Sequence, residues 1–155
     1  TLVDPSLRFT HIAMANWEVS DDVVIRNRLI LGMGSESLPI YRQFGIGGLG
    51  SVSAQGYKSQ VGNHMAQMNT ELIFTEEFTE NWFMVKLFYD AGIAFNSSDL
   101  VDMGTISEQS DTLLQSAGIG FGWDDGDGLK MGFNFAKPLG NDGPIESTVR
   151  LNFNF

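Results

Sequence analysis

Thr148-Val149-Arg150-Leu151-Asn152-Phe153-Asn154-Phe155 is the stretch on which the fold turns. Polar and apolar side chains alternate through all eight residues. A period of two places Val149, Leu151, Phe153 and Phe155 on one face of a strand, and Thr148, Arg150, Asn152 and Asn154 on the other. Two architectures read this way. A water-soluble sheet turns the apolar face toward a core, whereas a transmembrane β-barrel turns it toward lipid and its polar face toward a lumen.

Upstream, six more segments alternate in the same manner and predict strands over residues 8–19, 23–33, 64–75, 82–95, 114–123 and 129–139, with the seventh over 146–155. The first is the least regular, because Ile12 and Met14 oppose Phe9, Ala13, Ala15, Trp17 and Val19. The fourth is long enough for the roughly 9–11 residues that a tilted strand needs to cross a bilayer. The abundance of Gly over Pro, 18 to 4, suits an all-β chain with many turns. A length of 155 residues fits one domain, 1–155, and 43% hydrophobic content excludes global disorder.

Three patterns favour the barrel. Short connections (20–22, 76–81, 124–128) alternate with long ones (34–63, 96–112), as in outer-membrane barrels with short periplasmic turns and longer external loops; the connection at 140–144 is shorter than that rule suggests. The inward face carries Arg26, Arg28, Glu71, Lys86, Asp90, Lys130 and Arg150. A wet lumen tolerates such charges, while a dry core would require each to be paired. Trp17, Trp82, Phe95, Trp123 and Phe155 fall at strand ends, where interfacial girdles lie. The charges exclude other classes. A net charge of −10 with no basic stripe argues against nucleic acid as a partner. No run of about 18 apolar residues provides a transmembrane helix. Absence of Cys points weakly to the periplasm or outer membrane. The chain begins at Thr1 rather than Met and shows no charged-then-apolar leader, which points to processing, cleavage or a partial sequence.

Patterns for specific chemistry are poor. Residues 45–50 are Gly-rich but lack the Gly-Lys-Ser/Thr ending of a phosphate loop. Residues 124–128 (Asp-Asp-Gly-Asp-Gly) read more simply as a hairpin turn than as a calcium loop, which would need twelve residues and a terminal Glu. His11 and His64 have no ligand-spaced companions, so neither a metal nor another cofactor is expected. Ser51 does not sit in a nucleophile elbow, and no enzyme pattern can be assembled.

Seven strands cannot close a bacterial barrel, which has an even number and at least about eight. Either a strand hides in 1–7 or 100–106, or the chain is part of a larger barrel. Within the long connection the chain reads Gly47-Gly48-Leu49-Gly50-Ser51-Val52-Ser53-Ala54-Gln55-Gly56-Tyr57. This resembles the Gly-Gly…Ser-hydrophobic-Arg-Gly-Tyr/Phe loop of the bacterial surface antigen superfamily, the BamA/TamA-like outer-membrane insertases and two-partner secretion pores. Phe88-Tyr89-Asp90-Ala91-Gly92 resembles that family's Phe-x-Asp-x-Gly strand, Gly118-Ile119-Gly120 its Gly-x-Gly strand, and Phe133-Asn134-Phe135-Ala136-Lys137-Pro138-Leu139 its Asp-Phe-Ala-x-Pro-Leu strand. The order of these motifs over residues 23–155 makes the match specific where each alone is weak.

The resemblance implies an antiparallel transmembrane β-barrel of which this chain forms the C-terminal seven strands of about sixteen. It implies a bacterial outer-membrane location, with lipid, the remaining barrel chain or a second subunit, and other outer-membrane or periplasmic proteins as partners. It also implies a role in outer-membrane protein assembly or in translocation or anchoring of an attached domain. The connection 34–63 is expected to fold inward, with Gln55, Gly56 and Tyr57 docking on a lumenal network of Arg26, Arg28, Glu71, Lys86 and Asp90. Gln55 stands where the family places its arginine, after an apparent Ser53-Ala54 insertion. As a neutral amide it can meet Glu71 and Asp90 only by hydrogen bonds, so a weaker lock is expected. Val149, Leu151, Phe153 and Phe155 have the form of a C-terminal barrel assembly signal. The alternatives are a small structural or adhesion barrel that binds through its external loops, and a soluble all-β module.

Overall fold

The computed structural model describes residues 6–75, 83–97, 112–124, 129–140 and 142–153. Seven long strands make one antiparallel sheet: β1 (Arg8–Ser20), β2 (Val23–Gly34), β5 (His64–Phe74), β6 (Met84–Phe95), β7 (Leu114–Asp124), β8 (Leu129–Leu139) and β9 (Glu146–Phe153), paired in that order. Their bounds follow the expected segments to within two residues at each end. Phe155, with the acidic turn 76–81, the turn 125–128, Trp82 and residues 98–111, lies outside the described residues.

Every pairing joins neighbours along the chain or spans only the long connection. The register is unbroken from β2 through β9, and a single irregularity falls between Glu18 and Ser20, next to the tight turn into β2. Unbroken register keeps each strand's alternation in step with its neighbour's, so the two faces stay chemically distinct across the whole sheet. On the outer face Phe9, Trp17, Leu29, Leu31, Met68, Leu87, Trp123, Phe133, Val149 and Leu151 are exposed. On the inner face Asn16, Arg26, Arg28, Asn69, Glu71, Lys86, Asp90, Asn134, Thr148 and Arg150 line one trough of about 490 Å³. Apolar outside and charged inside is the reverse of a water-soluble sheet, and it is the pattern that lipid selects. No helix is long and apolar enough to cross a membrane among the described residues.

The trough is lined from β1 (Met14, Asn16) round to β9 (Glu146, Thr148, Arg150), so the sheet is strongly curved. It remains an arc: β1 and β9 are its two edges. Inside the curve sits the connection between β2 and β5. The sequence suggests only a long connection there, but it contains a 3₁₀ turn (Ile40–Arg42) and a small hairpin of β3 (Phe44–Ile46) and β4 (Gln60–Gly62). Three-residue strands are too short to show a period of two, which explains why alternation does not reveal them. Phe95 departs from the girdle expectation: it is buried and stacks on the His64 ring, with centroids 5.8 Å apart.

An arginine at Leu29 would place a cation on the outer face. The substitution Leu29→Arg should cost about 2–4 kcal/mol if that face meets the bilayer centre. The expected outcome is loss of the fast-migrating folded band on an unheated gel, while Thr148→Lys, on the inner face, retains it.

Candidate functional site

The inserted connection is held in the arc by an apolar patch and a polar cluster. The apolar patch comes first in the chain. Phe44 is buried over Gly32, where an added Cβ would lie 2.6 Å from the ring, and the Arg8 guanidinium stands 4.3 Å from the Phe44 centroid. Ile46 and Val52 pack with Ala94 of β6, flanked by Met65 and Leu114. Gly62 is required because a side chain there would overlap the Phe95 backbone. These contacts fasten both legs of the β3–β4 hairpin to the wall. At its open end Asn63 donates Nδ2 to Ser97 O (2.7 Å), and its Oδ1 accepts from Ser97 N (2.9 Å).

Between the legs the chain makes a tight turn. Gly47, Gly48 and Gly50 have positive φ, and the Gly48 amide donates to Val52 O at 3.1 Å. Only glycine takes up this run of left-handed conformations at little cost. The turn presents residues 50–53 to the wall, where Arg28, Gln67, Asn69 and Asp90 wait on β2, β5 and β6. Arg28, Asn69, Asp90 and Ser116 are consecutive partners across four strands. Arg28 Nη2 donates to Gly50 O (2.6 Å). Asn69 Nδ2 donates to Ser51 O (2.8 Å) and to Asp90 Oδ1 (2.7 Å). Ser51 Oγ donates to Gln67 Oε1 (2.8 Å). Ser53 donates both its amide (3.1 Å) and its hydroxyl (2.7 Å) to Asp90 Oδ2. Asp90 is 5% exposed. A carboxylate so far from water needs its oxygens filled, and the loop supplies two of the three hydrogen bonds it receives.

The expected docking residues are placed differently. Gln55 is buried, but its amide donates to the Gln115 backbone carbonyl (3.2 Å) on β7, not to Glu71 or Asp90. Tyr57 is 82% exposed, with Lys58 of the same loop 5.7 Å from its ring centroid. Gly56 accepts from Ser59 within the loop. Glu71 meets no loop residue. It pairs with Lys86 (2.6 Å) and Arg26 (3.5 Å), and Arg26 also donates to Asn16 Oδ1 (3.3 Å), forming a separate chain of contacts along the wall. The reason lies in the backbone at residues 53–55. Ser53-Ala54 brings Ser53 to Asp90, and Ala54 then turns with φ of 56°, a conformation uncommon for a residue with a Cβ, which carries Gln55 away toward β7. Gln67 and Asn69 share the parity of Glu71 on their strand, yet nothing in the sequence pairs them with Ser51 and Ser53. Of the terminal stretch, Val149 and Leu151 are exposed on the outer face, and Phe153 is the last residue of β9. Among the described residues no group of His, Cys, Asp and Glu is placed to hold a metal ion.

The curved sheet has a counterpart among known proteins. The Omp85 superfamily domain matches residues 4–155. The chain belongs to the Omp85 superfamily. It is accordingly an outer-membrane β-barrel chain, as the motif order implied. Among solved structures, the crystal structure of BamA from Haemophilus ducreyi lacking POTRA domains 1-3 is similar, with 18% identity and a TM-score of 0.59. The likeness covers 96% of this chain and 34% of that one, so the chain spans about a third of that structure. At this identity the likeness concerns the fold. No curated protein matches the sequence.

Removing the Asp90 carboxylate deprives Ser53 of its acceptor. Asp90→Ala should weaken docking by about 1–3 kcal/mol, the cost of losing charge-assisted hydrogen bonds. Limited proteolysis should then cut residues 48–57 faster, whereas Glu71→Gln, which touches only the wall, should leave the cleavage rate unchanged.

Proposed function

We propose that this chain is the loop-bearing, C-terminal part of a larger outer-membrane barrel that handles other polypeptides, in outer-membrane protein assembly or in translocating or anchoring an attached domain. The observation that supports this most is the seated connection. A 30-residue stretch, 34–63, is pinned across the inner face by hydrogen bonds to three strands, so the lumenal wall already holds an extended polypeptide segment. The edges support it as well. In hydrocarbon an unpaired strand edge has no water to satisfy its N–H and C=O groups. β1 and β9 are both edges of this sheet. They call for more strands, from the same polypeptide or from another subunit. A self-contained adhesion barrel leaves those edges unexplained.

Assembly and translocation are separable in vesicles. The full-length protein, reconstituted in liposomes, should accelerate folding of an unfolded client barrel, or should carry an attached domain to the protease-accessible side. Ser53→Ala, which removes one of the two loop bonds to Asp90, should lower the productive rate several-fold while the barrel itself still migrates as folded. Wild-type liposomes that do neither better than empty ones would eliminate the proposal.

A further inference from the structure

We propose that Arg28, Gln67, Asn69 and Asp90 form a binding site for polypeptide main chain, which the inserted loop occupies as a ligand built into its own chain. The inference deepens the proposed function and rests on it only in taking the lumen as open to polypeptide.

The chemistry of the loop contacts carries the argument. The wall takes Gly50 O, Ser51 O and Ser53 N–H, two main-chain acceptors and one donor within four residues. The side chains it engages there are two small hydroxyls, Ser51 and Ser53, while Val52 turns into the apolar cluster with Ile46 and Ala94. No charged or large side chain of the loop takes part. A wall that reads carbonyls and an amide recognises any segment of similar conformation with small residues, so the ligand class is a Gly- and Ser-rich polypeptide segment.

The wall cluster is also arranged by contacts that do not involve the loop. Asn69 Oδ1 accepts from Arg28 Nε (3.1 Å), Arg28 Nη2 (2.8 Å) and Gln67 Nε2 (2.7 Å). Three donors on the oxygen fix which way the amide lies, and leave Nδ2 facing Asp90 and the ligand position. Groups held in place beforehand lose less entropy on binding. One group on the same row is unused: Ser116 Oγ, across from Asp90, is fully buried and has no hydrogen-bond partner among the described residues. The loop therefore leaves part of the polar row unsatisfied, as an occupant of a more general site would.

The test uses the full-length protein in detergent and a synthetic peptide of residues 48–55, capped at both ends. Residues 1–155 contain no cysteine, so Val52→Cys, with any cysteine elsewhere in the polypeptide replaced by serine, provides a single thiol that is buried while the loop is docked. Excess peptide should speed thiol labelling by about tenfold, since a competing segment need match only about 1.4 kcal/mol of the loop's advantage. A peptide N-methylated at the nitrogen equivalent to Ser53 lacks the donor to Asp90 and should leave labelling unchanged. In a variant lacking residues 48–55 and still folded by gel mobility, the unmodified peptide should bind at least about tenfold more tightly than the methylated one, and Asp90→Ala should remove the difference. Equal effects of the two peptides in both formats, or no effect of either, would overturn the inference. Failed client handling with this peptide preference intact would count against the proposed function alone, and the converse result against the main-chain site alone.

Discussion

A carboxylate taken out of water on the inner wall of a curved sheet must be satisfied by its surroundings. Asp90 meets that demand with one bond from its neighbour Asn69 and two from Ser53 of the inserted loop. The loop's position depends on this demand. So does the arrangement of Asn69, whose oxygen is held by Arg28 and Gln67 so that its nitrogen can serve Asp90 and the loop together. The apolar contacts of Phe44, Ile46 and Val52 supply non-directional adhesion, and the polar cluster decides the register in which the loop seats.

Two polar systems share the inner face and remain distinct. Arg26 and Lys86 both pair with Glu71, across β2, β5 and β6, and this chain of charges needs nothing from the loop. Arg28, Gln67, Asn69 and Asp90 lie toward the long-connection end and are completed by it. The first system stiffens the wall; the second makes the wall receptive. Spacing along the strands separates them, because residues two apart on a strand share a face but stand in different rows of the register.

The loop brings no charge to this contact. Its donors are an amide and two hydroxyls, and the one cation involved, Arg28, belongs to the wall and reaches a loop carbonyl. Neutral donors to a buried carboxylate give directional bonds of moderate strength, and their loss exposes a group that another segment with the same main-chain pattern can satisfy. A seat of this kind holds the loop firmly enough to define its position and is chemically open to exchange.

Alternation by itself determined the seven long strands, their two faces, and which face carries charge, because a period of two is a local property that any reader of Val149-Arg150-Leu151 can count. It also gave a count of seven strands, which leaves either a further strand or a larger barrel to complete the closure, and motif order carried the family. Partner choice within the lumen was decided only by the tertiary structure. Asp90 was visible as an inward acid, but Gln55 was expected to meet it and Ser53 does. A left-handed Ala54 rotates the chain between them, and a turn of that kind leaves no periodic trace. The short β3–β4 hairpin was likewise hidden, because three-residue strands owe their existence to the wall beneath them rather than to their own pattern.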